Sequence, residues 1–169
     1  MKVTILSIFI LFLINGCSNK EFLFGKKAIQ KNITKSQKIV MKTKKFAFSD
    51  TAFYKNTPRL IQIQAYSSGV AIANMKFYKI NDSVCFGNKC TNKKYFTDNF
   101  LSKNYPSSLI ITILSKKPIF DKQNLKKIKD GFLQHIKSDS YDITYMVTKN
   151  FVYFKDKKNK ILIKLSDLK

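Results

Sequence analysis

Tryptophan is absent from the 169 residues, arginine occurs once at Arg59, glutamate once at Glu21 and histidine once at His135. Glycine is also scarce at five positions, and none of the five forms a phosphate-binding loop or a dinucleotide-binding pattern. Apart from Cys17 near the N-terminus there are only Cys85, Cys90 and His135, three nitrogen or sulfur donors where a zinc centre needs about four. No serine sits in a Gly-x-Ser-x-Gly turn, and with Glu21 near the N-terminus the remaining carboxylates are scattered aspartates. His135, between Gln134 and Ile136 in an alternating run, reads as a surface histidine and not as a general base. The expected protein is therefore not an enzyme and carries no cofactor and no metal.

What the chain has in abundance is lysine. Lysine and arginine together number 32 against 10 aspartates and glutamates, a formal net charge of +22, and every basic residue except Arg59 is a lysine. The accompanying richness in Ile, Asn, Phe and Tyr is the signature of AT-rich codons, so part of the charge reflects composition. Base and phosphate readout favours the planar guanidinium fork, and its near absence argues against nucleic acid as the partner. Lysine point charges suit a different task, holding a domain against anionic headgroups at about 1 kcal/mol each.

The only long apolar run is N-terminal. Lys2 precedes Val3 to Ile14, a stretch of about 18 Å as a helix, too short for a bilayer core that takes about 20 residues. It ends in Leu13-Ile14-Asn15-Gly16-Cys17, which resembles the lipobox of bacterial lipoproteins, with Asn15 a less usual middle residue. The resemblance implies a signal peptide over 1–16, cleavage before Cys17, and acyl chains on Cys17 that anchor the protein to a lipid membrane. Ser18, where aspartate would retain such proteins at the inner membrane, implies the outer membrane, with the folded part in the periplasm. Residues 17–37 then read as a tether, although Phe22, Leu23 and Phe24 offer apolar side chains that would equally pack on the domain. Residues 38–169 are expected to form one domain.

The other two cysteines are Cys85 and Cys90, separated by Phe86-Gly87-Asn88-Lys89. Gly87-Asn88 is a turn signal, and export to an oxidising compartment favours a disulfide across it. The spacing is not that of a Cys-x-x-Cys oxidoreductase.

Alternation dominates the body of the domain. Ile61, Ile63 and Ala65 alternate with polar neighbours up to Ser67-Ser68-Gly69, and Val70 to Ile80 follows as the second arm of a hairpin. Lys38 to Phe48 and Asp82 to Phe86 read as further strands. Gly131 to Ile136, Tyr141 to Val147, Phe151 to Phe154 and Ile161 to Leu165 form a second block, giving about seven or eight antiparallel strands.

The middle has a different period. Tyr95, Phe96, Phe100 and Leu101 suggest one short helix, and Leu109, Ile110, Ile113 and Leu114 a second after Tyr105-Pro106 and before Lys116-Lys117-Pro118. The β-branched content of the latter leaves a strand as the alternative. The fold class expected is α+β, a curved antiparallel sheet or open incomplete β-barrel with short helices packed in or over its concave face.

The order of lipidated cysteine, strand block, Tyr105-Pro106-x-x-Leu109, Lys116-Lys117-Pro118-Ile119 and Gly131-Phe132 opening a closing strand block resembles the LolB family of outer-membrane lipoprotein receptors. The similar part runs from Tyr105 to Leu165. It departs from the family in lacking tryptophan and in being more basic. The resemblance implies an incomplete barrel that holds the acyl chains of lipid or lipoprotein. No receptor residue is carried over, because no position matches a distinctive motif. On physical grounds alone, Ile61, Ile63, Val70, Ile72, Leu109 and Ile113 are the residues expected to line an apolar cleft, the other reading being that they fill a closed core. The alternative function is a non-enzymatic assembly or scaffold lipoprotein with an envelope protein as partner.

Overall fold

A computed structural model describes residues 33–168. The segment expected to be a signal peptide, Cys17 as the expected lipidation site and most of the expected tether lie outside the described residues.

The described chain opens with five strands and closes with five, and one short strand follows the fifth. They are β1 (Ile33–Lys42), β2 (Ala47–Asn56), β3 (Leu60–Ser67), β4 (Val70–Tyr78), β5 (Val84–Phe86) and β6 (Lys89–Thr91), then β7 (Leu125–Ile128), β8 (Gly131–Lys137), β9 (Asp142–Thr148), β10 (Phe151–Asp156) and β11 (Ile161–Asp167). All pairings are antiparallel, in the order β6-β5-β4-β3-β2-β1-β11-β10-β9-β8-β7. The first and last strands thus join in the middle of the sheet, with Ile39 opposite Leu165, and the sheet does not close on itself.

One face of this sheet carries the core. Ile39 and Met41, Ala52 and Tyr54, Ile61 and Ile63, Met75 and Phe77, Ile143 and Tyr145, Val152 and Phe154, and Ile163 and Leu165 occupy alternate positions and are all buried. Lysines such as Lys38, Lys42, Lys137 and Lys155 occupy the intervening, exposed positions. Period-two patterning therefore decides which face the backbone buries.

Between the strand blocks lie the helices. α1 (Lys93–Phe96) continues into a π-helical turn over Thr97–Leu101, and α2 spans Leu109–Leu114. Asn92 caps α1, its side chain accepting from the Tyr95 N–H at 2.6 Å. α2 is a helix and not the alternative strand. It ends in a Schellman motif, where Lys116 adopts a left-handed φ of 59° and its N–H donates to the Ile113 carbonyl. The Lys117 N–H donates in turn to the Thr112 carbonyl, so the last carbonyls are satisfied before Pro118. Leu109, Ile110, Ile113 and Leu114 join the same core cluster as the sheet residues. Among the described residues no helix is long and apolar enough to cross a membrane.

The structure redraws some sequence boundaries. Lys38 to Phe48 is not one strand, because Thr43 reverses the chain within it. Its Oγ1 accepts from the Lys45 and Phe46 N–H groups at 3.2 and 3.0 Å, a turn made without Gly or Pro. The sheet begins at Ile33, ahead of the boundary expected at residue 38, and Gln37 is a buried β1 residue. β7 was not expected, since Leu125–Ile128 is a lysine-rich edge without clear alternation.

Gly131 opens β8 where the backbone of β9 comes too close for a side chain. A Cβ there would overlap the Val147 carbonyl. Gly131→Ala is expected to lower stability by about 1–3 kcal/mol through this overpacking, read from the urea midpoint.

Candidate functional site

An open cavity lies at the end of β1 and β2 that the Thr43 turn closes. It measures about 470 Å³ and is lined by Phe46, Ala71 to Met75, Phe86 and Gly87. Its wall continues into an aromatic cluster: Phe46 meets Phe86 edge-on at 5.9 Å, and Phe86, Phe96 and Phe100 stack on one another at 5.3–6.0 Å. Phe96 in turn packs edge-on against Phe77 in β4. α1 and its π-helical turn thus supply two rings, the β5–β6 hairpin a third and the β1–β2 turn the fourth. Phe46, Phe86 and Phe100 are only partly buried, so the cluster keeps apolar surface open at the cavity.

The β5–β6 hairpin is held in place by two features. Cys85 faces Cys90 across the pair, with their sulfurs at disulfide bonding distance. Gly87 turns the chain at a left-handed φ of 57° and donates its N–H to the Asn74 carbonyl of β4 at 2.7 Å. Both cysteines are expected to resist alkylation until reduced, and removing the bridge is expected to cost about 2 kcal/mol for so short a loop. Mass spectrometry after alkylation with and without reductant checks the first, and urea unfolding the second.

The residues expected to line a cleft divide into two groups. Ile61, Ile63, Leu109 and Ile113 sit in the core and are inaccessible to solvent or nearly so. Val70 and Ile72 are 67% and 53% exposed near the tip of the β3–β4 hairpin, and of the six only Ile72 lines the cavity. The cause is a register shift opposite Ala65 and Tyr66, which makes Ala73 pair with Ala65 and Ala71 with Tyr66. A bulge reverses the parity of the strand, so Ala73, Met75 and Phe77 face inward while the alternation beginning at Val70 does not continue into them. The conflict between Val70/Ile72 and Ala73/Met75/Phe77 was present in the sequence as two opposed period-two patterns. Phe46, Phe86 and Phe100 carried no such signal, because three separate elements bring them together.

A polar cluster ties the helical segment to the sheet. Asp156 is completely buried at the end of β10, and the hydroxyl of buried Tyr105 donates to its Oδ2. Asn159 Nδ2 donates to the same oxygen at 2.7 Å, and the N–H groups of Asp142, Lys158 and Asn159 donate to Oδ1 at 2.9–3.2 Å. Burial opposes ionisation of this carboxyl, but the donors from Asn159, Tyr105 and the backbone outweigh it and hold the group below its ordinary range. Burial, followed by the hydrogen bond to Asp156, pushes the Tyr105 phenol well above its ordinary value. Gln134, buried in β8, braces the next loop. Its Oε1 accepts from the Ile119 N–H at 2.9 Å, and its Nε2 donates to the carbonyls of Ile119 and Gln123 at 3.0 and 2.7 Å. Phe120, Asp121 and Lys122 all have left-handed φ between 45° and 66° there, a conformation unfavourable for residues with a Cβ.

His135 is exposed on the outer face, its Nδ1 3.3 Å from the Thr144 hydroxyl. Among the described residues no three His, Cys, Asp or Glu side chains converge as a metal site would require. No protein-family model, curated protein or solved structure matches this chain.

Proposed function

We propose that this protein is a lipid-anchored envelope protein whose folded part accepts an acyl chain of lipid or lipoprotein at the phenylalanine-lined cavity, the role that the LolB resemblance implies. The carrying observation is the cavity itself. At about 470 Å³ it falls within the roughly 300–1,000 Å³ of small-ligand sites, and its walls are mainly apolar. In this reading the sheet is an incomplete barrel with α1 and α2 over its concave face. Two tyrosines support the curvature. Tyr54 in β2 donates to the Leu114 carbonyl at 2.6 Å, and Tyr145 in β9 to the Lys117 carbonyl at 2.9 Å. The two strands are four spacings apart, roughly 19 Å on a flat sheet, yet both side chains reach the C-terminal end of one short helix.

Anchoring through Cys17 would place the cavity beside the outer membrane, on the periplasmic side. Ile72 in the cavity wall and its exposed neighbour Val70 give the cavity rim an apolar lip, and the lysines of the outer face favour anionic headgroups. The protein binds and does not catalyse. The test is uptake of an acylated peptide by the chain, compared with a variant whose cavity is plugged.

One observation favours the second reading, an assembly or scaffold lipoprotein. Ile61, Ile63, Leu109 and Ile113 fill the core completely, while Phe53 and Tyr66, in edge-to-face contact at 6.0 Å, stay exposed on the other face of the sheet. Crosslinking in cells at Phe53 would then capture one envelope protein reproducibly, and acyl uptake would be absent.

A further inference from the structure

At the opposite end of β1 a second, smaller cavity of about 210 Å³ is lined by Lys35, Gln37, Tyr54, Asn56, Ser115 and Lys116. Its chemistry differs from that of the phenylalanine-lined cavity. Gln37 is 1% exposed, and its Nε2 donates to Asp167 Oδ1 at 2.5 Å. A carboxylate only accepts, so this contact fixes the amide orientation and turns Oε1 away from Asp167. That Oε1 is the one buried side-chain polar atom among the described residues without a hydrogen-bond partner. An orphaned acceptor costs about 1–3 kcal/mol, a cost that a ligand donating an O–H or N–H would remove.

Two lysines from different elements line the same cavity. Lys35 lies in β1, with its Nζ 3.6 Å from Asp167 Oδ2, and Lys116 is the left-handed residue that ends α2, with its Nζ donating to the Lys149 carbonyl at 3.1 Å. Lys79 stands behind Asn56, donating to its Oδ1 at 2.5 Å and to the Thr57 carbonyl at 2.7 Å. Burial holds both Lys116 and Lys79 below the ordinary lysine value. Asp167 opposes the shift at Lys116 and Lys35 adds to it, while Lys117 adds to that of Lys79. The charged residues lining the cavity are Lys35 and Lys116, both basic, and Asp167, which does not line it, pairs with Lys35.

We infer that this cavity is a binding site for a hydroxyl-bearing phosphate ester, its phosphate held by Lys35 and Lys116 and its hydroxyl donating to Gln37 Oε1. A bare oxyanion such as sulfate satisfies the lysines but leaves Gln37 orphaned. An acyl chain satisfies neither. The same chemistry occurs in a free glycerol phosphate and in the glycerol phosphate headgroup of a lipid. The site is independent of the acyl-chain reading, since no residue lines both cavities.

Isothermal titration calorimetry of the full chain in dodecyl maltoside tests this, with glycerol 3-phosphate, dihexanoylphosphatidylglycerol and sulfate as probes at matched ionic strength. At least one phosphate ester is expected to bind with one-to-one stoichiometry, at least tenfold more tightly than sulfate. The tighter of the two esters identifies the source as free metabolite or lipid headgroup. Gln37→Leu and Lys116→Met are each expected to weaken that binding at least tenfold with the urea midpoint retained, and Ala73→Trp, in the other cavity, to leave it unchanged. Absence of binding by both esters, equal affinity for sulfate, or indifference to both Gln37→Leu and Lys116→Met would overturn the assignment.

Discussion

Asp156→Ala is expected to destabilise the fold by about 3–5 kcal/mol, because it leaves a buried set of donors without their acceptor. Five donors converge on this carboxylate: the Tyr105 hydroxyl, the Asn159 amide and three backbone N–H groups. The residue lies at the end of β10, and Tyr105 lies in the segment between α1 and α2, so the cluster joins the helical region to the sheet. Tyr105→Phe removes one charge-assisted hydrogen bond and is expected to cost about 2 kcal/mol. The carboxyl titrates below its ordinary value of 3.8 in the folded state. Its contribution is therefore fully present above the unfolded-state value and is lost as pH falls through the folded-state value. The stability gap between wild type and Asp156→Asn should accordingly be constant near neutral pH and narrow on acidification below 3.8. Urea unfolding at pH 7 and pH 3 reads both the magnitude and the sign, and a gap that widens in acid would refute the role assigned to Asp156.

Ala73→Trp is expected to abolish most acyl-chain binding while leaving the sheet intact. Ala73 is half-buried, pairs with Ala65 and lines the phenylalanine-walled cavity, so an indole at that position occupies space where the chain would lie. The expected loss is at least tenfold in affinity, about 1.4 kcal/mol. Ile113→Asn provides the contrast. Ile113 is inaccessible within the core, so this change should lower the urea midpoint first and affect binding only through unfolding. Equal binding by Ala73→Trp and wild type would remove the cavity from the account.

The elements that sequence reasoning identified share a property: their signal was local. The β3–β4 hairpin announces itself by alternation flanking Ser67-Ser68-Gly69, and Ser68 and Gly69 indeed carry the positive φ values of that turn. The four strands from Gly131 to Asp167 follow from alternation in the same way. α2 follows from its apolar stripe and from Pro118 after it, although the left-handed Lys116 that stops the helix is a lysine where glycine is usual.

What was missed depended on contacts distant in sequence or on turns without a signature. Thr43 closes β1 onto β2 through its own hydroxyl, and nothing in Lys42-Thr43-Lys44-Lys45 distinguishes it from a continuing strand. Along β4, Ile72 lines the cavity and Val70 does not, and the bulge opposite Ala65 and Tyr66 brings Ala73 and Met75 to the same wall against the alternation that begins at Val70. Gln37 lies in a segment that reads as tether, which puts the one orphaned acceptor among the described residues outside the expected domain. Burial of Asp156 was equally invisible, since a Lys155-Asp156-Lys157-Lys158 run reads as a solvated loop until Tyr105 is placed beside it.

The most direct test of the proposed acyl-binding role is native mass spectrometry of the full chain, released from detergent after incubation with a synthetic triacylated lipopeptide. The account predicts a one-to-one adduct that is lost in Ala73→Trp and kept in Gln37→Leu. A chain that stays free of adduct at every lipopeptide concentration, while remaining folded by urea titration, would contradict it and leave the filled core and the exposed Phe53 face to a protein partner.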